Sequence, residues 1–211
     1  TAYNSKCVDF HIVCPLFNVL INITMLIVDD LISKPYQEEI KQTLLDIKFP
    51  WGFIPDVTSA GSDINAPALI HNYRWSGNTH SPYFDIIEPI ARLGAGAVDY
   101  KYSSVIQARS FLQFPLNTKF FNKETDLLHI DLDYSHLVVL YYVLDSDGDT
   151  LITNKTFDQE KKNYLDIPAE EDIVLRVTPK QGRAVIFDGK YYHTAQQPKD
   201  KLRCIINFNI E

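Results

Sequence analysis

The feature that most constrains the fold is the punctuation of the second half of the chain. From Lys101 onward, short apolar runs alternate with tight-turn chemistry. Eight strands are predicted, at about 103–111, 127–131, 136–144, 149–153, 172–177, 183–187, 190–194 and 202–210. The joints are Asp145-Ser-Asp-Gly148, Pro179-Lys-Gln-Gly182 and Asp188-Gly189, residue types that accept the backbone angles of sharp turns. Eight short antiparallel strands suit a jelly roll, two sheets laid face to face.

The first half has a different grammar. Asn18 to Val28 is strand-like, and Ser33 is a helix cap followed by Tyr36, Ile40, Leu44 and Ile47 at helical spacing. Phe49 to Phe53 reads as an aromatic strand and Ala68 to Trp75 as another. A second helix is expected from Ser81 (cap) and Pro82 (first turn) to Leu93, stopped by Gly94. The expected class is therefore mainly β (α+β), a jelly roll with the N-terminal helices packed on one sheet. A chain of 211 residues fits one domain, with about 1–100 as support and about 101–211 as the core. The turn-rich stretch 55–66 and the polar excursion 154–171 read as lids.

Composition enters as a set of exclusions. A net charge of −7 counts against a nucleic-acid surface. Cys7, Cys14 and Cys204 are odd in number and far apart, which points to a reducing, cytoplasmic compartment and not to a disulfide framework. The apolar run from Ile12 to Val28 is interrupted by Pro15, Asn18, Asn22 and Thr24, so it reads as strand and not as a membrane span or signal peptide.

The last strand carries an informative alternation. Leu202, Cys204, Ile206, Phe208 and Ile210 share one face; Arg203, Ile205, Asn207 and Asn209 share the other. We read the apolar face as packed on the helices and the polar face as lining a pocket inside the roll. On the strand 136–144, Leu137, Val139, Tyr141 and Val143 lie on one side, and His136, Val138, Leu140, Tyr142 and Leu144 on the other.

Into that pocket the chain brings metal-binding chemistry. His129 and Asp131 are two apart, so on an extended segment they point the same way. With His193 from a separate strand they make two histidines and one carboxylate, the facial set of non-haem iron sites with open positions. His136 is a rival for His193, and Asp133 a rival for Asp131. Arg203 supplies a forked cation for a carboxylate. Asp145-x-Asp147-Gly148-Asp149 hints at a Ca²⁺ loop, but its glycine falls at position four, where an EF-hand needs position six, so a solvated turn is expected. Arg109 shares a face with Val105, Gln107 and Phe111. It either reaches the pocket mouth or forms a surface pair, and both readings stay open.

On His129-Ile-Asp131, His193 and Arg203, together with His136-Leu-Val-Val-Leu-Tyr-Tyr-Val-Leu-Asp-Ser-Asp-Gly-Asp-Thr150 and Gly182-Arg-Ala-Val-Ile-Phe-Asp188, the chain resembles the Fe(II)/2-oxoglutarate-dependent dioxygenases. The branch is the prolyl-4-hydroxylase-like one, and small members carried by bacteriophages are similar. The match covers the C-terminal half well and the N-terminal half in outline. The resemblance implies a double-stranded β-helix, with Fe(II) on His129, Asp131 and His193. It implies 2-oxoglutarate and O2 as cosubstrates, and ascorbate is compatible as an accessory reductant. It places Arg203, Tyr141 and Asn207 at the cosubstrate. The reaction implied is hydroxylation of a C–H bond with release of succinate and CO2, a prolyl residue in a peptide or protein being the favoured substrate, in the host cytoplasm if the gene is a phage's. Two alternatives stand beside it: a non-catalytic jelly-roll binding module, and an oxygenase acting on a small molecule or nucleotide. Base-demethylating relatives carry a second arginine after the first; here Cys204, Ile205, Ile206 and Asn207 follow Arg203 and no further arginine occurs.

Overall fold

The turns predicted in the second half separate strands, and those strands pair into two antiparallel sheets. The computed structural model describes residues 5–12, 21–57, 66–116, 124–158 and 167–211. In chain order the elements are β1 (Ser5–Ile12), β2 (Ile21–Val28), α1 (Lys34–Leu45), β3 (Gly52–Ile54), β4 (Ala68–Trp75), β5 (Asn78–Thr79) and α2 (Phe84–Ala97). There follow β6 (Val105–Gln113), β7 (Leu137–Tyr142), β8 (Thr150–Thr156), β9 (Ile173–Val177), β10 (Ala184–Asp188), β11 (Tyr191–Ala195) and β12 (Arg203–Ile210). The large sheet runs β1-β2-β10-β7-β12-β6-β4-β3, with β5 on β4; the small one runs β11-β8-β9. This is a mainly β, jelly-roll-like arrangement with two helices. No helix among the described residues is long and apolar enough to cross a membrane.

The register at the centre of the large sheet decides which side chains face the site. Directly opposed residues of an antiparallel pair point to the same face. β12 pairs Ile205 with Tyr142 of β7 and Phe111 of β6, and Asn207 with Leu140 and Arg109. Arg203, Ile205, Asn207 and Asn209 therefore share a face with Gln113, Phe111, Arg109, Tyr142, Leu140 and Val138. On the opposite face, Val139, Tyr141, Cys204, Ile206 and Phe208 join Ile40 and Leu44 of α1 and Ile87, Ile90 and Ala91 of α2 in one apolar cluster. Between the sheets, a second cluster joins Val138, Tyr142, Phe187 and Ile205 to Ile152, Val177 and Tyr191. Burying each such side chain contributes roughly 1.5–3 kcal/mol.

Three expectations about local structure change. Gly94 does not stop α2, which continues to Ala97. A Cβ there would lie 2.7 Å from Cγ1 of Val139, so the glycine lets the helix pack directly against β7. Helix α2 begins at Phe84, and the Ser81 hydroxyl bonds His71 Nε2 at 2.8 Å and the Tyr83 amide at 3.2 Å. Helix α1 ends at Leu45, before Ile47, which is 97% exposed because the helical spacing no longer applies to it. Of the lid candidates 55–66 and 154–171, the stretches 58–65 and 159–166 lie outside the described residues.

Candidate metal centre

The segment expected as a strand at 127–131 is not one. It is held by two isolated bridges, Thr125 with Gln196 and His129 with His193. The second bridge does the assembling. The His129 amide donates to the His193 carbonyl and the His193 amide to that of His129, both at 3.0 Å. The two rings are thereby brought to 4.6 Å between centroids. Asp131, two residues on, turns the same way. The ligating atoms of His129, Asp131 and His193 all lie within 4.8 Å of one another.

Each histidine is set for metal binding by a second hydrogen bond. Nδ1 of His129 is 3.1 Å from the Leu127 carbonyl, and Nδ1 of His193 is 3.1 Å from that of Tyr191. A carbonyl only accepts, so the proton sits on Nδ1 and the Nε2 lone pair is left for an ion. Burial, with His129 alongside, presses the His193 pKa down to about 4, which keeps that ring neutral at ordinary pH. Asp131 behaves in the opposite sense. Burial alone would raise its pKa, but the Arg109 guanidinium and the Asn207 amide work against burial and hold the carboxyl ionised. Its Oδ1 accepts from Arg109 Nη2 at 2.7 Å, and its Oδ2 from Asn207 Nδ2 and Asn209 Nδ2 at 2.9 Å each. The donor set, two imidazoles and one carboxylate, fits an Fe(II)-type ion.

The trio opens on a cavity of about 300 Å³ between the sheets, whose far wall holds Arg203. Arg203 is 3% exposed. It donates to the Gly148 carbonyl at 3.0 Å, to Gln113 Oε1 at 2.7 Å and to Thr150 Oγ1 at 2.9 Å. All three partners are neutral, so among the described residues no carboxylate is in direct contact with the buried cation. Burial lowers its pKa, and Tyr142 and Asp126 work against that. Asp126 is reached through Gln113, whose amide donates to it at 3.3 Å. Thr150 Oγ1 accepts from Tyr142 as well, at 2.7 Å. With both lone pairs engaged, its own O–H is left to donate.

Several site residues move from where the sequence reading had them. Tyr141 faces the helices, its hydroxyl buried without a partner; Tyr142 is the tyrosine on the Arg203 side. The pairing of Ile205 with Tyr142 forces this phase. Asn207 lies in the cavity wall but touches Asp131. His136 shares the inward face after all, yet its ring lies against Gly189, where an added Cβ would meet it at 2.0 Å, and it is not in the ligand cluster. Arg109 pairs with Asp131 and not with a surface acid. The Asp147 carboxylate accepts the amide of Asp200 at 2.9 Å and those of Lys199 and Lys201, so it staples a turn. Gln113, Thr150 and Asn209 were not singled out from the sequence. Position on the polar face of the last strand was the only signal available, and it applied to Asn209 alone.

No protein-family model matches the sequence, and no curated protein matches it. Solved structures are similar in fold. The non-heme α-ketoglutarate-dependent carbocyclase SnoK from nogalamycin biosynthesis superposes with a TM-score of 0.62 at 11% identity, over 88% of this chain and 78% of that one. A prolyl hydroxylase from Trichoplax adhaerens, in complex with a hypoxia inducible factor peptide fragment, gives 0.58 at 12% identity over 88% and 83%. A Pseudomonas putida prolyl-4-hydroxylase gives 0.55 at 9% over 89% and 92%. At such identities the likeness is one of architecture, and the chain shares its fold with α-ketoglutarate-dependent enzymes and prolyl hydroxylases.

Proposed function

We propose that the protein is an Fe(II)- and 2-oxoglutarate-dependent dioxygenase that hydroxylates a C–H bond. The observation that carries this is one cavity holding both the His129–Asp131–His193 cluster and a buried arginine whose direct partners are all neutral. A buried cation left uncompensated is costly, so the Arg203 end is suited to an anion. A dicarboxylate keto acid would suit such a cavity, with His129, Asp131 and His193 holding the metal that takes its keto-acid part and Arg203 holding its distal carboxylate. The shared architecture with prolyl hydroxylases and with SnoK agrees with this reading. It also supports taking the two sheets as a double-stranded β-helix with α1 and α2 on the large one. A prolyl residue in a peptide or protein is the substrate we favour, as in the prolyl-4-hydroxylase-like enzymes, phage-carried ones included, acting in the cytoplasm.

In this reading His129, Asp131 and His193 hold the iron, which supplies oxygen activation coupled to decarboxylation of the keto acid. The chain's own residues prepare that chemistry. Leu127 and Tyr191 carbonyls fix both imidazole tautomers. Arg203 binds the distal carboxylate by charge-assisted hydrogen bonds, and the free Thr150 proton adds one more. Tyr142 holds Thr150 from behind and does not itself reach the cosubstrate. Leu140, Ile205 and Phe111 in the cavity wall exclude water.

Two measurements test the proposal. Anaerobic addition of Fe(II) and 2-oxoglutarate should give a visible charge-transfer band. Admission of O2 should then release succinate. A protein that binds neither Fe(II) nor 2-oxoglutarate would instead be a binding module on the same fold.

A further inference from the structure

We propose that Gln113 is a positioning residue, a spacer that keeps the buried carboxylate of Asp126 one side chain away from Arg203, so that the arginine stays available to an anionic ligand. The inference rests on the 2-oxoglutarate reading above and goes beyond it, because it names what keeps the anchoring cation from being neutralised by the protein's own acid.

Asp126 and Gln113 are as buried as Arg203, and all three line the cavity. Gln113, the last residue of β6, stands directly opposite Arg203 in the β6–β12 register. Asp126 belongs to the segment that also carries His129, and its backbone is pinned to β11. Its amide donates to the Ala195 carbonyl at 2.8 Å, and its carbonyl accepts from Thr194 Oγ1 at 2.8 Å. The Asp126 carboxylate accepts from Gln197 Nε2 on Oδ1 at 2.6 Å and from Gln113 Nε2 on Oδ2 at 3.3 Å. On its other side Gln113 Oε1 accepts from Arg203 Nη1 at 2.7 Å. Both neighbours dictate which way the amide points. A guanidinium only donates and a carboxylate only accepts, so the amide oxygen faces Arg203 and the NH2 group faces Asp126.

This order of groups reconciles two demands on Arg203. A buried cation with no counter-charge is costly, whereas a carboxylate in direct contact would occupy its N–H donors and repel a second carboxylate. Burial disfavours the charged guanidinium, and Asp126 is among the groups that favour it. It does so without taking an Arg203 hydrogen bond, because the donor that points its way ends on Gln113.

Exchanging the two functional groups tests the order. The double variant Gln113→Glu with Asp126→Asn leaves the net charge unchanged and moves the carboxylate into contact with Arg203. Mn(II)-loaded protein is titrated by calorimetry with 2-oxoglutarate and with 2-oxopentanoate, which carries a methyl group in place of the distal carboxylate. The ratio of the two dissociation constants reads the Arg203 end alone, without turnover. The parent should favour 2-oxoglutarate by roughly a hundredfold or more, and the double variant should lose about tenfold to a hundredfold of that preference. Asp126→Asn alone should keep the preference, since no carboxylate then stands beside Arg203; this variant carries the test if the double variant does not fold. A double variant with the parent's preference overturns the role of Gln113. So does an equal fall in Asp126→Asn, which would trace the effect to the loss of Asp126 and not to a charge in contact with Arg203. A parent with no preference for 2-oxoglutarate overturns the cosubstrate reading itself, so the two failures are told apart.

Discussion

Arg203, Thr150 and Tyr142 form a graded series at the anchoring end of the cavity. Charged hydrogen bonds are worth about 1.5–3 kcal/mol each and neutral ones about 0.5–1.5 kcal/mol. Arg203→Ala should weaken 2-oxoglutarate binding by roughly a hundredfold or more, by anaerobic titration. Tyr142→Phe removes only the neutral bond behind Thr150, so a loss of about threefold to tenfold is expected. Tyr141→Phe should leave the titration unchanged, since that hydroxyl lies on the helix side. A larger effect from Tyr141 than from Tyr142 would mean that the register of β7 against β12 is wrong. At the metal end, His129→Ala, Asp131→Ala and His193→Ala should each abolish succinate release without unfolding the protein, because a three-ligand site has no spare member. Turnover by the His193 variant would show that another residue supplies the third ligand.

At the scale of the element, helix α2 holds two glycines with opposite demands. A Cβ at Gly94 would meet Val139 at 2.7 Å, and Val139 is buried in a central strand with little room to give. A Cβ at Gly96 meets nothing within 4 Å. Replacing glycine by alanine in a helix gains roughly 0.5–1 kcal/mol by itself, whereas overpacking a core contact costs about 1–3 kcal/mol. Gly94→Ala should therefore destabilise the protein and Gly96→Ala should stabilise it slightly, by urea denaturation of the two variants side by side. If both stabilise, Val139 gives way to the added methyl group.

At the scale of the molecule, ion pairs at Asp29 tie the two halves of the chain together, with Lys180 at 3.5 Å and more closely with Arg183. Arg183, just before β10, grips Asp29, just after β2, through Nε on Oδ1 at 2.6 Å and Nη2 on Oδ2 at 3.1 Å. The hydrogen bond from Arg183 lowers the Asp29 pKa, against some burial. A carboxyl depressed in the folded state contributes fully above its unfolded value of about 3.9, and the contribution is lost as pH falls through the folded value. Asp29→Asn should therefore lower the thermal midpoint at pH 7, and the gap between variant and parent should close in strong acid. A gap that persists unchanged at low pH would assign the effect to packing and not to the carboxylate.

The sequence by itself determined what depends on short range. Turn chemistry located β6 to β12 within a few residues. The i, i+2 spacing put His129 and Asp131 on one side, and the alternation of β12 separated Arg203 and Asn207 from Cys204, Ile206 and Phe208. That alternation was legible because one face is polar. On β7 it was not, since Leu137 to Tyr142 are apolar or aromatic and buried on both faces. Only pairing with β12 could choose between Tyr141 and Tyr142, and a slip of one residue would exchange them. The same holds for Gly94, whose local grammar reads as a helix stop until Val139 is set against it. Arg109, Gln113, Thr150 and Asn209 acquire roles from Asp131 or Arg203, partners 22 to 90 residues away across strands or between sheets. Tertiary structure alone decided these, because a hydrogen bond across a sheet is set by register, and register is a property of two strands at once.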